Sequence, residues 1–236
     1  MVTHEGPFER LGGSKRGMKF ITKIPPLVAV PTTAGTGSEV SPGAVVILDN
    51  GMKETFVSAH LVPIAAVCDP ELTLGLPASL TAATGMDAMT HCIEAVLTPV
   101  VHPPAEAIGV DGAERIGKWL EIAVKDGANR DARWHMMMGS FEGALAFAKG
   151  LGAVHGLSHA LGRIHELKLH HGTLNAVILP HSLAMIGNAA EEKFARLRRA
   201  LGLAPSADLA QYIADLNARI GLPANLSAMG VKTDHG

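Results

Sequence analysis

Thr84-Gly-Met-Asp-Ala-Met-Thr-His-Cys-Ile-Glu94 sets an aspartate and a histidine four positions apart in a run that reads as helix. At that spacing Asp87 and His91 share one face, from which a carboxylate and an imidazole reach a single divalent cation. Met86, Met89, Ile93 and Val96 surround the same turns with apolar surface, so the helix is predicted to be buried. A buried, ionised aspartate needs a compensating cation or a set of donors, because desolvating a lone charge is very costly. An ordinary helix in which Asp87 caps or pairs with a neighbour accounts for this stretch equally well. The histidines further along the chain bear on the choice.

Val154-His-Gly-Leu-Ser-His-Ala-Leu-Gly162 repeats the four-residue spacing with His155 and His159, and Leu169-His-His-Gly-Thr-Leu-Asn175 follows with His170 and His171. A lone histidine on an apolar face is usually a hydrogen-bonded core residue. A glycine-flanked group of four, downstream of an Asp/His pair, is harder to explain that way. Three imidazoles and one carboxylate would complete a site for iron(II) or zinc, with a position left for a substrate oxygen. Helices are predicted around this set. The first starts at a cap on Ser79 or Thr81 and ends at Thr98-Pro99; others cover 105–124 and 131–149. Met136, Met137, Met138, Phe141, Leu145 and Phe147 read as core filling, and His135 beside them as structural. Residues 175–186 form a helix that Pro180 is expected to kink or interrupt. Two amphipathic helices, 191–201 and 206–220, carry no visible chemistry.

Upstream, strand signals replace helical ones. Leu27-Val-Ala-Val30, Ala44-Val-Val-Ile-Leu48 and Ile64-Ala-Ala-Val-Cys68 are short apolar runs bounded by turn residues, the first expected to be buried. Pro31-Thr-Thr-Ala-Gly-Thr-Gly-Ser-Glu39 follows the first run directly. It is either a tight Ser/Thr-stabilised turn or a loop whose backbone N–H groups approach a ligand. It matches neither the G-x-x-x-x-G-K-[ST] loop nor G-x-G-x-x-G. Asp49-Asn-Gly51 signals a turn, and Lys53 just beyond it reads as a solvated lysine or a contact to an anionic or ribose-bearing ligand. Met1 to Lys23 reads as a loop or ragged end. A boundary near Leu76-Pro77 divides the chain into residues 1–76 and 77–236.

At 236 residues, 47% hydrophobic and with a formal charge of −2, the composition excludes a disordered chain and a nucleic-acid surface. Two cysteines, Cys68 and Cys92, fit a reducing cytoplasm better than a disulfide framework. No apolar run is long enough for a bilayer, so no membrane partner is expected.

Taken together, residues 31–39, Asp69-Pro-Glu-Leu-Thr73, residues 84–94, Val154-His-Gly-Leu-Ser-His159 and His171-Gly-Thr-Leu-Asn-Ala176 resemble the iron-containing (group III) alcohol dehydrogenase family, in its order and at about its spacing. The resemblance implies an α/β plus all-α fold of the dehydroquinate synthase-like kind. A partial Rossmann-like nucleotide-binding domain (1–76) would precede an all-helical metal-binding domain (77–236). It implies metal ligands Asp87, His91, His155 and His171, with the His-Gly pair favouring His171 over His170. His159 is similar to a histidine near the nicotinamide that assists proton transfer. Thr32 and Thr33 match cofactor-contacting positions, and Lys53 loosely matches a lysine near the ribose. The implied cofactors are Fe2+, with Zn2+ as the alternative, and NAD or NADP. The implied reaction moves a hydride between a small alcohol, or its aldehyde or ketone, and NAD(P), in a cytoplasmic homodimer. The family's Gly-Gly-Gly-Ser phosphate turn has no counterpart here. The resemblance therefore implies a chain shortened at the N-terminus and at the C-terminus, and leaves open a non-catalytic metal-binding fragment that no longer binds dinucleotide.

Overall fold

The computed structural model describes residues 8–13, 20–49 and 53–232, apart from the side chains of Phe8, Glu9, Lys53, His165 and Asn188. The chain forms two compact units, residues 1–31 with 37–69, and residues 32–36 with 70–236.

Among its described residues the first unit holds four short strands, β1 (Val28–Ala29), β2 (Gly43–Ile47), β3 (Lys53–Val57) and β4 (Ala65–Ala66). β1 and β4 pair in parallel, Val28 opposite Ala65, and the ladder is extended by bonds from Ile64 N–H to Leu27 C=O and Val67 N–H to Ala29 C=O, both 2.9 Å. β2 and β3 pair antiparallel, Gly43 opposite Val57 and Ile47 opposite Lys53. The predicted turn at Asp49-Asn-Gly51 reaches beyond the described residues. Leu11, Ile21, Leu48 and Phe56 form a small core, flanked by Ile24, Val46 and Leu61. The expected loop through Lys23 is thus corrected in part: Leu11 and Ile21 are core residues, isolated in a polar stretch where no periodicity could flag them. The predicted buried strand at Leu27–Val30 is also corrected. Only Val28 and Ala29 are strand, and Leu27, Val28 and Val30 are exposed, as are Ile64 and Val67 around β4. Apolar runs mark parallel strands correctly, but burial needs covering layers as well.

The second unit contains α1 (Ala78–Leu97), α2 (Pro103–Lys125), α3 (Arg130–Ala146), α4 (Ala153–Leu161), α5 (His171–Ile186), α6 (Glu191–Ala200) and α7 (Leu209–Arg219). α1 is buried almost all round from Thr81 to Val96 and packs on α2, α3 and α5. Small and flexible residues (Ala82, Ala83, Met86, Ala88, Met89) let those neighbours approach on every side.

Neither Ser79 nor Thr81 caps α1, as the sequence had suggested. The cap position is Pro77, without a side-chain bond, and both hydroxyl residues lie inside the helix. Thr81 Oγ1 instead accepts from the buried Arg133 guanidinium at 2.8 Å, which also donates to Leu76 C=O and Gly127 C=O. That clasp ties the start of α1 to α3. At the other end, Thr98 precedes Pro99, which disfavours further helix. The last carbonyls are taken up by lysines: Lys149 Nζ donates to Val96 and Thr98, and Lys193 Nζ to Leu97 and Thr98. Cations at a helix C-terminus also oppose its dipole. His102 caps α2 through Nδ1, which accepts from Ala105 N–H at 3.2 Å, with Pro103 opening the helix. In α3, Met136 and Met137 are fully buried as core, whereas Leu145 is exposed; His135 stacks on Trp119 with ring centroids 4.4 Å apart.

Pro180 does not interrupt α5, which runs continuously from His171 to Ile186. A proline there removes the N–H that would bond the carbonyl of Ala176. Asn217 on α7 fills the gap, donating from Nδ2 to Ala176 C=O at 2.7 Å. Among the described residues no helix is long and apolar enough to cross a membrane.

Candidate metal centre

Asp87, His91 and Glu94 lie on one face of α1, all of them buried. Asp87 and His91 are one turn apart, with His91 Nε2 3.8 Å from Asp87 Oδ1. The Glu94 carboxylate projects to the start of α4, which has Gly152 at its cap position and no side-chain cap of its own. Glu94 takes that role from a distance, accepting from Val154 N–H at 2.7 Å and His155 N–H at 3.4 Å. A Cβ on Gly152 would lie 2.6 Å from Glu94 Oε1, so glycine is required for the carboxylate to come this close. The same carboxylate meets His155 Nδ1 at 2.7 Å.

α5 brings the second histidine. His170 is its N-cap, Nδ1 accepting from Thr173 N–H at 3.4 Å, and His171 is the first helical residue. Gly172 then lets the helix lie directly on α1: a Cβ there would run into the Ala83 carbonyl oxygen. His171 Nε2 ends 3.6 Å from Asp87 Oδ1, and His155 Nε2 ends 3.7 Å from it. Asp87, His155 and His171 form a group whose ligand atoms all lie within 4.8 Å of one another. His91 stands beside this group, stacked on His155 with centroids 4.7 Å apart and edge-on to Phe147 at 5.0 Å. The ring of His159 lies 4.9 Å from that of His171 and 6.3 Å from that of His155.

The hydrogen bonds bear on which nitrogens are left for a cation. A carboxylate only accepts, so His155 Nδ1 donates to Glu94, and Nε2 presents a lone pair once the ring has given up its second proton. Ser158 Oγ donates to His155 C=O at 3.2 Å and also lies 3.4 Å from His171 Nδ1, from which its oxygen can accept. In the tautomer with Nδ1 donating to Ser158, His171 Nε2 also presents a lone pair. Asp87 Oδ1 and two imidazole nitrogens converge on one point as acceptors, a donor set that fits a divalent cation.

Burial pushes the His155 imidazole down, but its contacts with the Asp87 and Glu94 carboxylates outweigh it and raise the ring above its ordinary value, so a cation at Nε2 would take the place of a proton there. Burial pushes the Asp87 carboxyl up, but His91, His155 and His171 outweigh it and hold the group well below the usual carboxylate range. Burial dominates at His91 and lowers its imidazole to about 4, so it is neutral near pH 7. Burial likewise opposes ionisation of Glu94, yet its bonds to His155 and to backbone N–H groups keep it ionised.

A family model described as "Fe-containing alcohol dehydrogenase family, C-terminal" matches residues 81–236, and one described as "Iron-containing alcohol dehydrogenase" matches residues 1–70. The chain belongs to the iron-containing alcohol dehydrogenase family. It is 53% identical to a 4-hydroxybutyrate dehydrogenase of Cupriavidus necator, over 99% of this chain and 63% of the relative. It is 39% identical to a 1,3-propanediol dehydrogenase of Citrobacter freundii, over 98% of this chain and 61% of the relative. The crystal structure of a 1,3-propanediol oxidoreductase superposes with a TM-score of 0.91 at 36% identity, over 98% of this chain and 62% of that one. The chain thus spans less than two thirds of the length of these relatives.

Within this family fold, the residues expected to contact cofactor are less gathered than the histidines. Thr32 is exposed and Thr33 half-buried, in the segment that belongs to the helical unit. Gly35 of that segment packs against Thr84 of α1, where a Cβ would come within 2.7 Å of the threonine Cβ. Lys53 opens β3, and its side chain lies outside the described residues. Three residues of the centre were not singled out from sequence: Glu94, Ser158 and Asn175. Their spacings carried a signal, since Glu94 lies two turns beyond Asp87 and Asn175 one turn beyond His171.

Proposed function

We propose that this chain carries the metal-binding half, and part of the nucleotide-binding half, of an NAD(P)-dependent alcohol dehydrogenase. The reaction is hydride transfer between a small alcohol, or its aldehyde or ketone, and NAD(P). One observation carries this reading: Asp87 Oδ1, His155 Nε2 and His171 Nε2 converge, within 4.8 Å of one another. Residues 77–236 supply the metal half and residues 1–76 the partial nucleotide half. Asp87, His91, His155 and His171 would hold Fe2+, or Zn2+ in its place, since such ligands suit both.

A divalent cation bound there supplies Lewis-acid polarisation of the substrate oxygen, and the nicotinamide is the hydride acceptor or donor. The chain's own residues prepare the site for that chemistry. Glu94 accepts from His155 Nδ1 and Ser158 Oγ lies beside His171 Nδ1, contacts that would turn Nε2 of each ring toward a bound cation. His159, its ring 4.9 Å from that of His171, would pass a proton between substrate and solvent. Thr32, Thr33 and Lys53 are the candidate cofactor contacts. The named relatives favour short alcohols with a second polar group, such as 4-hydroxybutyrate or 1,3-propanediol. The whole enzyme is read as a cytoplasmic homodimer.

A second reading has a specific basis. The sequence lacks a Gly-Gly-Gly-Ser turn, so the chain by itself would bind metal without dinucleotide. Metal analysis of the purified chain, paired with NAD(P)H binding followed by cofactor fluorescence, tests both. Metal with cofactor binding supports the dehydrogenase, and metal alone supports the fragment. Absence of metal from protein loaded with Fe2+ or Zn2+ would falsify both readings.

A further inference from the structure

Asn175, on α5 one turn beyond His171, has no solvent exposure. Its amide nitrogen lies 2.7 Å from Asp87 Oδ1 and 3.2 Å from both His155 Nε2 and His171 Nε2. It therefore touches all three atoms of the convergent group. Its carbonyl oxygen, also buried, has no hydrogen-bond partner. The orientation of the amide follows from chemistry: turned over, it would set a carbonyl oxygen against a carboxylate oxygen, two acceptors in contact.

We propose that Asn175 is a positioning residue of the cation site: its amide fixes the Asp87 oxygen that meets the cation and substitutes for the cation's charge when none is bound. The inference rests on the cation-site reading above. Two N–H hydrogens face three acceptors, so the amide satisfies Asp87 and at most one imidazole. The remaining lone pair is left for a cation. A carboxylate oxygen has two lone pairs, so the Asp87 bond persists when the cation arrives, whereas an imidazole has only one and must release the amide. A buried amide that merely filled space would leave both oxygen and nitrogen indifferent to these groups. Here the nitrogen is at bonding distance from the carboxylate, and the oxygen is left without a partner.

The distinguishing property is the sign of the response to substitution. Asn175→Ala removes the donor that orients Asp87, and cation affinity falls about tenfold or more, as for other groups that orient ligands from behind. Asn175→Asp keeps the size but sets a second carboxylate against the first. That pair repels in the metal-free protein and is relieved by a cation, so affinity rises. A purely structural role would weaken binding in both. The test is Co2+ titration of the full chain and the two variants, followed by the visible absorption of the bound ion. Thermal unfolding with chelator and with saturating Co2+ accompanies it. The expected result is weaker binding in Asn175→Ala, tighter binding in Asn175→Asp, and a larger rise in Tm on loading for Asn175→Asp than for the wild type. Unchanged affinity in Asn175→Ala, or a change of the same sign in both variants, overturns the inference. A wild-type chain that takes up no Co2+, Fe2+ or Zn2+ overturns the cation site itself, and the two failures are thereby told apart.

Discussion

The Glu94 carboxylate joins two helices at one point: Oε2 lies 2.7 Å from His155 Nδ1 while Oε1 receives the Val154 N–H at 2.7 Å. It caps α4 and, at the same time, accepts the hydrogen bond from Nδ1 of the candidate ligand His155. Glu94→Gln retains the shape but removes the charge and one of the two acceptor oxygens. Cation affinity is expected to fall by about 10–100-fold, the range seen when a carboxylate behind a ligand histidine is lost. Zn2+ or Co2+ titration measures it. Affinity equal to the wild type would show that His155 is held without Glu94.

Gly172 follows His171 where α5 touches α1, and any Cβ there meets the backbone oxygen of Ala83. Backbone cannot move aside as a flexible side chain can. Gly172→Ala should push the start of α5 away, costing about 1–3 kcal/mol as overpacking does and drawing His171 away from Asp87. The expected outcome is a lower Tm together with weaker Zn2+ binding. A loss of stability with unaltered binding would mean that His171 follows Asp87 despite the shift.

Much of this centre was legible because helical spacing is rigid. Asp87 with His91, and His155 with His159, share a face through four-residue separation; the helix that carries the first pair was read to within a few residues, whereas for the second pair only the spacing was read and not its helix. Which histidines meet across helices was not legible. His170 and His171 differ in sequence by one position, yet one becomes an N-cap and the other faces Asp87, an outcome of how α5 docks on α1. Pro180 misled for a related reason. A proline breaks a helix only if the freed carbonyl lacks another donor, and Asn217, distant in sequence, supplies one. In the first unit, β3 was missed because Lys53 and Glu54 mask a strand whose buried member is Phe56. Local pattern carried the helical face, and long-range partners decided the rest.

Glu142 offers a test of electrostatics away from the histidines. Burial, followed by the adjacent Asp111 carboxyl, pushes it up from the ordinary 4.5 to about 7, against the pull of Arg115 at 3.0 Å. A carboxyl with a raised folded-state value binds its proton more tightly folded than unfolded. Its stabilising effect is complete below about pH 4.5 and is lost as pH rises through about 7. Wild-type protein should therefore lose stability relative to Glu142→Gln across that window. Thermal unfolding of both proteins at a series of pH values measures the difference. Parallel curves would show that Arg115 keeps Glu142 ionised throughout.

Asn217 and Pro180 form an energetic pair although neither side chain needs to touch the other. With proline at 180, Ala176 C=O depends on Asn217 Nδ2, and both lie in the interior of the helical unit. Asn217→Leu leaves that carbonyl without a donor and should cost about 1–3 kcal/mol. Pro180→Ala restores the N–H one turn along, so the carbonyl regains its helical partner. In that background Asn217→Leu should cost little, or even stabilise, because Asn217 Oδ1 is itself buried without a partner. The four proteins form a double-mutant cycle, in which any effect of proline on the unfolded chain cancels. Denaturant unfolding of each should give a coupling of about 1 kcal/mol or more, as for residues that share one hydrogen-bonding group. If Asn217→Leu costs the same in both backgrounds, Asn217 stabilises α7 for some other reason and the continuity of α5 through Pro180 does not depend on it.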